Sequence, residues 1–255
     1  MSKHEHAVLQ QFDPRAGAYL TSAVHAGGPD LQWVQQWLDD WKGPAQDALD
    51  AGCGAGHLAF RLASRFRRVV AADPSPSMVR TAVEEARRRG LDPVEGLSAR
   101  AANLPCADGS FDLVATRFSA HHWYDLPASL HELRRVLRPG GQLLLIDLLG
   151  EDSPLVDTHL QAIELLRDPS HVRDRTTAEW LALLQTSGFR AAQMRSWPLR
   201  LEFTSWTQRM RVPDPVIAQL RSMLAQAPEE VRQALQIEPD GSFTARVGLF
   251  VADAG

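Results

Sequence analysis

Apolar runs alternate with helical patterns between residues 46 and 149. Five runs have the length and composition of buried strands: 47–51, 68–72, 94–99, 111–116 and 142–149. Between them, three segments repeat apolar side chains every three or four residues, as one face of a helix does: 57–66, 77–89 and 126–137. This alternation predicts parallel βαβ units with right-handed crossovers, and therefore a doubly wound, Rossmann-like α/β sheet.

The flanking segments predict helices around this sheet and two further strands. A stop at residues 27–30 separates the helical stretches Ala16–His25 and Leu31–Trp41, and the first residues suggest a frayed polar terminus. The strands 192–203 and 242–252 can pair as antiparallel neighbours at the sheet edge. We therefore expect one domain, with core segments 46–149, 176–203 and 241–253 and helical cap elements 1–42, 151–175 and 204–238.

The composition and net charge of the chain indicate which kind of protein and which partners to expect. Of the 255 residues, 44% are apolar and 23% charged, with a formal net charge of −4, the balance of an ordinary globular protein. The short basic clusters 65–68 and 87–89 fall on amphipathic helices, so we expect solvated faces and no nucleic-acid partner. With no signal peptide, no membrane span and two cysteines, the chain is expected to be cytoplasmic, and with no metal-ligand spacing it is expected to be metal-free. The oligomeric state, monomer or homodimer, stays open.

The segment ALDAGCGAGHLAF, residues 48–60, carries the strongest local signal. Three glycines follow a predicted strand, and a helix begins at once; the glycines let the backbone approach a ligand closely. The start of the helix offers unpaired N–H groups to an anion or carboxylate. Asp73 ends the next strand, where its carboxylate can accept hydrogen bonds from two ribose hydroxyls. The alternative is that Asp73 only caps the helix that follows Pro74.

The glycine spacing distinguishes two cofactor classes. Dinucleotide sites have G-x-G-x-x-G, whereas this chain has G-x-G-x-G, and His57 takes the third glycine position of the dinucleotide pattern. Asp50, next to the turn, would repel a pyrophosphate but suits a cationic amine or sulfonium. The pattern therefore favours a nucleoside that carries an amino acid over NAD.

Four motifs, in order from residue 46 to 149, resemble class I S-adenosylmethionine (SAM)-dependent methyltransferases. They are LDAGCGAGH, VVAADPSPSMV, NLPCADGSFDLVATRFSAHHW and RRVLRPGGQLLLID. The likeness is greatest to the small-molecule group that includes the ubiquinone/menaquinone-biosynthesis C-methyltransferases. It implies a seven-stranded, mostly parallel sheet with an antiparallel last strand, SAM as cofactor and S-adenosylhomocysteine as product.

The resemblance also assigns roles to individual residues. Asp73 would hold the ribose and Met78 the adenine, while Arg117 and Tyr19 would lie near the methionine moiety. Arg100 departs from the family, which usually has Asp or Asn there, and a guanidinium cannot accept a bond from the adenine amino group; backbone contacts or stacking at 101–102 are expected instead. The complete predicted cofactor set is Tyr19, Asp50, Ala51, Gly52, Cys53, Gly54, His57, Asp73, Pro74, Ser75, Met78, Arg100, Ala101, Ala102 and Arg117.

Candidate catalytic residues follow the fourth strand, since open α/β sheets place their chemistry at the carboxyl ends of strands. His122 is the predicted general base, with His121 a weaker candidate, and His171 lies in a candidate substrate-side loop. The predicted reaction is methyl transfer to carbon, oxygen or nitrogen of a small apolar or aromatic acceptor. Three alternatives remain: carboxyl methylation of a carrier-bound acyl chain, a non-catalytic SAM- or nucleoside-binding regulator, and an NAD-dependent oxidoreductase, which the glycine spacing disfavours.

Overall fold

The computed structural model describes residues 2–22 and 26–254, apart from the side chains of 191–193. Within them, seven strands form one sheet in the order β3-β2-β1-β4-β5-β7-β6. The strands are β1 Asp47–Ala51, β2 Arg68–Asp73, β3 Val94–Ser98, β4 Phe111–Arg117, β5 Leu137–Leu149, β6 Phe189–Leu201 and β7 Phe243–Ala254. β1 to β5 pair in parallel, and β7 pairs antiparallel with both β5 and β6. The predicted Rossmann-like sheet with an antiparallel last strand is therefore confirmed.

The order of the strands reverses between β1 and β4. From β1 the chain winds outward through β2 to β3, whereas β4 lies on the other side of β1 and leads to β5. Loops that leave the carboxyl ends of β1 and β4 therefore run in opposite directions, and they leave a crevice between them. The site described below occupies this crevice.

Helices cover both faces of the sheet. In chain order they are α1 Lys3–Phe12, α2 Ala16–Leu20, α3 Pro29–Asp39, α4 His57–Leu62, α5 Pro76–Arg88, α6 Leu126–Val136, α7 Pro154–Arg167, α8 Thr177–Thr186, α9 Phe203–Arg209, α10 Asp214–Ala225 and α11 Glu229–Ala234. One apolar cluster joins the sheet to α3, α4 and α5, and a second joins it to α6 and α8. None of the described helices has the length and apolar character needed to cross a membrane.

A third apolar cluster lies outside these two layers. It combines α7, α9, α10 and α11 with the ends of β6 and β7 that meet them, and its largest side chains include Trp206, Phe203 and Phe243. The helices at 154–167 and 203–234 fall in the segments that were predicted to be cap elements.

Three local predictions differ from the structure. The N-terminal residues were expected to be frayed, but they form helix α1. The helix begins with a capping box in which Ser2 and Glu5 exchange hydrogen bonds. The fifth strand was predicted over 142–149, but β5 begins at Leu137, takes in Pro139-Gly140-Gly141 and contains a register shift opposite 111–113. The helix predicted for 16–25 ends at Leu20, and residues 23–25 lie outside the described part of the chain.

Candidate active site

The glycine-rich turn after β1 brings three chain segments together. Gly52 and Gly56 have φ angles of +74° and +94°, which residues with a Cβ adopt at a cost. The N–H groups of Gly52 and Cys53 donate to the Ala72 carbonyl at 2.8 and 2.9 Å, and so they fix the turn to the end of β2. A Cβ at Gly52 would lie 2.6 Å from the Cβ of Ser119, directly after β4. Residue 52 must therefore be glycine for these segments to meet.

Asp73, at the end of β2, is buried beside this turn. Its Oδ2 accepts from the Gly54 N–H at 3.0 Å and its Oδ1 from the Ser75 N–H at 2.8 Å. Burial raises the pKa of Asp73 to about 6, although these two bonds favour the carboxylate. The helix cap is Ser75, whose side chain accepts from the Met78 N–H. The alternative interpretation, in which Asp73 caps α5, therefore does not agree with the structure.

Asp50 is the second buried carboxylate at the turn. Its Oδ2 accepts from the Ala59 N–H at 2.9 Å, whereas Oδ1 is sealed from solvent and has no hydrogen-bond partner among the described residues. Burial raises the pKa of Asp50 to about 7. A buried, unpaired carboxylate oxygen costs free energy, and a cationic donor placed beside it would recover that cost.

Both aspartates line a cavity of about 790 Å³ at the crevice between β1 and β4. Of the predicted cofactor residues, thirteen line it: Tyr19, Asp50, Gly52, Cys53, Gly54, His57, Asp73, Pro74, Met78, Arg100, Ala101, Ala102 and Arg117. Ala51 does not line it, since its side chain is buried in the apolar core. Ser75 does not either, because it caps α5 and its hydroxyl donates to Asp13.

Sequence reasoning placed residues 1–42 in the cap but assigned no residue before Tyr19 to the cavity, whose roof α1 supplies. His4, Glu5, Val8, Leu9 and Phe12 line it from this helix, although none of them is fully buried. The sequence contains the signal: Ser2 and Glu5 have capping-box spacing, and the apolar residues 8, 9 and 12 share one helical face.

The two arginines of the predicted set contact other protein groups. The guanidinium of Arg100 pairs with Glu5 of α1 and so ties the roof to the far end of the cavity. Arg117, at the end of β4, is buried and pairs with Asp30 of α3. Its guanidinium also lies over the Phe118 ring, 4.5 Å from the centroid. The positive charge of each arginine is thus balanced at the edge of the cavity.

His121 and His122 follow β4 and have different environments. Nδ1 of His121 contacts Oδ1 of Asp147 at 2.5 Å. Burial opposes a charge on this ring, but Asp147 outweighs it and raises the pKa of His121 to about 9. Burial and the neighbouring His121 charge lower the pKa of His122 to about 4. Near neutral pH, His121 is therefore protonated and His122, which lines the cavity, is neutral.

Comparisons with known proteins now identify the family. A methyltransferase-domain family model matches residues 49–145. The chain is 37% identical over 197 residues to the uncharacterized protein YafE of Escherichia coli, covering 77% of this chain and 95% of that one. It is 30% identical over 226 residues to the uncharacterized methyltransferase YcgJ of Bacillus subtilis, covering 89% and 88%. The crystal structure of YcgJ matches with a TM-score of 0.81 at 29% identity, covering 87% of this chain and 97% of that one.

The chain belongs to the SAM-dependent methyltransferases. It is therefore an enzyme, and SAM is its cofactor. A ubiquinone/menaquinone biosynthesis C-methyltransferase UbiE of Brucella suis is 34% identical over 156 residues, which cover 60% of this chain and 57% of that protein. This relative supports the same family assignment, but it does not identify the methyl acceptor of this chain.

The residues of the methyltransferase cavity fit SAM. The unpaired Oδ1 of Asp50 is complementary to a cationic amine, and the glycine turn leaves room for close backbone approach. His171 does not contribute to this cavity: it is buried, and its Nε2 lies 3.0 Å from Oε1 of Gln161. Trp123 and Tyr124 do line the cavity, beside His122.

Proposed function

We propose that this methyltransferase methylates a small apolar or aromatic acceptor at a carbon, oxygen or nitrogen atom that gives up a proton, with His122 as the base. The observation that carries the proposal is a neutral imidazole in the cavity wall, surrounded by aromatic side chains. Phe12 of α1 contacts the His122 ring edge-on, with 4.9 Å between centroids. Trp123 follows His122 in the chain and lines the same cavity.

Two carboxylates would hold the cofactor at its polar ends. Asp73 would accept hydrogen bonds from the ribose hydroxyls, since each of its oxygens accepts only one backbone N–H at present. Asp50 would receive the amino group of the methionine moiety with its unpaired Oδ1. Met78 and the backbone at 101–102, which also line the cavity, would flank the adenine.

When bound, SAM supplies a methyl group that is already activated on a sulfonium. The protein therefore contributes mainly alignment and exclusion of water. Val8, Leu9 and Phe12 close the cavity with apolar surface, and Phe118 and Trp123 form part of the opposite wall. Such walls favour an acceptor of similar polarity.

His122 would take the proton that the acceptor loses. Its lowered pKa, a consequence of burial and of the protonated His121 nearby, keeps a lone pair available throughout the neutral pH range. A positioned base contributes roughly 10²- to 10⁴-fold to a rate. The alternatives predict different behaviour: methylation of a carboxylate needs no base, and a regulator transfers no methyl group.

Cofactor binding is tested by thermal unfolding with S-adenosylhomocysteine at pH 8, with NAD as the control ligand. A ligand at 100 times its dissociation constant stabilises by about 2.7 kcal/mol, which raises the Tm by at least a few degrees. Asp73→Asn keeps the shape but removes the charge, so we expect at least tenfold weaker binding. Asp92→Asn, at an exposed position, should bind as the wild type does. Wild-type affinity in the Asp73 variant would refute the ribose assignment.

The base is tested by transfer from methyl-labelled SAM to a panel of phenols, 1,3-dicarbonyl compounds, amines and carboxylic acids. His122→Gln should lower kcat about 100-fold or more, while the thermal shift with S-adenosylhomocysteine stays that of the wild type. His131→Gln, an exposed histidine on α6, is the matched control. Unchanged kcat in the His122 variant would exclude His122 as the base. If the carboxylic acids were the only panel compounds to become labelled, as methyl esters, carboxyl methylation would be favoured.

A further inference from the structure

We infer that Asp168 and Ser170 are positioning residues, which hold the His122 imidazole in the one neutral tautomer that leaves Nε2 unprotonated towards the cavity. The inference rests on the proposed function, in which His122 is the base. It assigns a role to the loop after α7, which lies outside the residues matched by the methyltransferase family model.

Asp168 and Ser170 form a buried hydrogen-bonded turn. Oδ1 of Asp168 accepts from both the N–H and the hydroxyl of Ser170, at 2.9 and 2.6 Å. Both side chains are almost completely buried. The single hydroxyl proton of Ser170 is therefore directed to Asp168, and its Oγ can only accept from other neighbours.

This turn determines which ring nitrogen of His122 is protonated. Nδ1 of His122 lies 3.2 Å from the Ser170 carbonyl oxygen and 3.3 Å from the Ser170 Oγ. A carbonyl oxygen only accepts, and the hydroxyl proton is already used, so Nδ1 must donate its hydrogen. In a neutral imidazole, Nε2 then carries the lone pair.

The remaining nitrogen is accessible. Nε2 of His122 has no hydrogen-bond partner among the described residues, yet it is not one of the buried unpaired polar atoms. Because His122 lines the cavity, the accessible atom can face an acceptor there. The nearest charged oxygen is Oδ2 of Asp168, at 4.0 Å.

Asp168 has a second effect once the proton has moved. An acceptor X–H would give its proton to Nε2, and the electron pair left on X would form the bond to the methyl carbon while the methyl–sulfur bond breaks and its electron pair stays on the sulfur of S-adenosylhomocysteine, the leaving group. His122 becomes an imidazolium at that moment, and the Asp168 carboxylate at 4.0 Å stabilises the new positive charge. Asp147 holds the neighbouring charge of His121, so the two histidines do not share one counter-ion.

The tautomer can be observed directly on the full chain labelled with ¹⁵N-histidine and loaded with S-adenosylhomocysteine. Long-range ¹H–¹⁵N correlation spectra distinguish the two neutral tautomers, and the His122 signals are those that disappear in His122→Gln. We expect a single Nδ1–H tautomer for His122 between pH 6 and 8. A wild-type spectrum with the hydrogen on Nε2 would overturn the inference.

Variants of the turn complete the test. Asp168→Asn should give a mixture of tautomers and lower kcat about tenfold, with KM unchanged, on whichever panel compound the wild type methylates. Ser170→Ala removes only the hydroxyl that links Asp168 to His122. It should also give a mixture of tautomers and a lower kcat, but both changes should be smaller than in Asp168→Asn. Asp157→Asn is the matched control: Asp157 is also buried, on α7, but it contacts Glu151, Gln161 and Arg173.

The two proposals fail in different ways. If His122→Gln retains full kcat, His122 is not the base, whereas the tautomer spectra still report whether Asp168 and Ser170 orient the ring. If His122→Gln loses activity but Asp168→Asn and Ser170→Ala leave both the tautomer and kcat at wild-type values, the positioning role is wrong and the base stands.

Discussion

Single residues determine how closely the ends of β1 and β4 approach each other. Gly52 lies at φ +74°, and Ser119 occupies the space that a Cβ would need, so its missing side chain is what allows the contact. Gly90, at the end of α5, has a similar φ of +70°, but nothing lies within 4 Å of the position its Cβ would take. The two glycines share a backbone conformation and differ only in their surroundings.

A comparison of Gly52→Ala with Gly90→Ala therefore separates the free-energy cost of backbone strain from the cost of steric crowding. Each places a Cβ in a left-handed conformation, which costs about 1 to 2 kcal/mol. Gly52→Ala must also displace Ser119, so it should lose more stability and abolish the thermal shift with S-adenosylhomocysteine. Gly90→Ala should retain the shift. Urea unfolding gives the two free energies, and equal losses with intact binding in both variants would contradict the crowding argument.

Residue roles were predictable where the cause is local. Asp50 and Asp73 stand at strand ends next to a glycine-rich turn, and that juxtaposition can be read along the chain. The partner of Arg100 could not be predicted, because Glu5 lies 95 residues earlier on a helix whose packing depends on the finished cavity. The same is true of Ser170, which reaches His122 from a separate loop.

At the scale of elements, α1 is the least embedded part of the site. None of its residues is fully buried, and its polar links are few. His4 Nε2 donates to the His122 carbonyl at 3.0 Å, Glu5 pairs with Arg100, and just beyond the helix Asp13 accepts from Ser75. Helices with so little buried surface open at low free-energy cost. The cofactor cavity is therefore closed by a weakly held element.

The Glu5–Arg100 pair should affect cofactor release more than stability. A largely exposed ion pair contributes about 0 to 1 kcal/mol, so Glu5→Gln should barely change the Tm. We expect S-adenosylhomocysteine to dissociate several times faster from this variant in stopped-flow experiments, and equally fast from Arg100→Gln and from the double variant Glu5→Gln with Arg100→Gln, since each lacks the same ion pair and glutamine at position 5 keeps the capping box. If the effects of the two single variants add in the double variant, the pair does not hold the roof.

Element prediction succeeded where the hydrophobic period was strong. The parallel strands and the helices between them follow from apolar runs and helical spacing, whereas α1 carries only four apolar residues among polar ones. The Pro-Gly-Gly segment of β5 resembles a turn locally. Residues 138–141 have no partner on β4, whose pairing passes from Phe111–Leu137 to Leu113–Gln142, so the segment is an irregular insertion across which the strand continues, and Gly140 keeps the positive φ of a turn.

On the scale of the whole molecule, buried charges couple stability to pH. His121 has a pKa near 9 in the folded state, where burial is outweighed by Asp147, against 6.5 for an unperturbed ring. A raised folded-state pKa means that the folded protein binds the proton more tightly. The stability that this proton contributes is present below pH 6.5 and disappears as pH rises to about 9.

We expect the stability difference between the wild type and His121→Gln to shrink by on the order of 3 kcal/mol from pH 6.5 to 9. Asp174, Glu164, Asp147 and His122 also face this ring, and their pKa values respond to its charge, so the difference reports the His121 proton together with the response of these neighbours. Urea unfolding at both pH values provides the measurement, with His131→Gln as the exposed control. A difference that stays constant, or grows, would show that His121 does not titrate in this range.

The overall architecture was predictable to the extent that it repeats a pattern. Alternating strands and helices impose right-handed crossovers, which leave few topologies. The packing of the cap was not predictable in this way, since its apolar cluster joins α7 to helices from beyond residue 203 and to both antiparallel strands. No local period specifies which of those faces meet.

The position of β7 also affects how the protein is made. β6 is synthesised before α9, α10, α11 and β7, yet its neighbour in the finished sheet is β7, which lies between it and β5. On the ribosome, β5 and β6 therefore both have an open edge until residues 243–254 have emerged, and unpaired edges promote aggregation. We therefore expect slow translation across residues 202–242 to prolong this unpaired state and to lower the yield of folded enzyme.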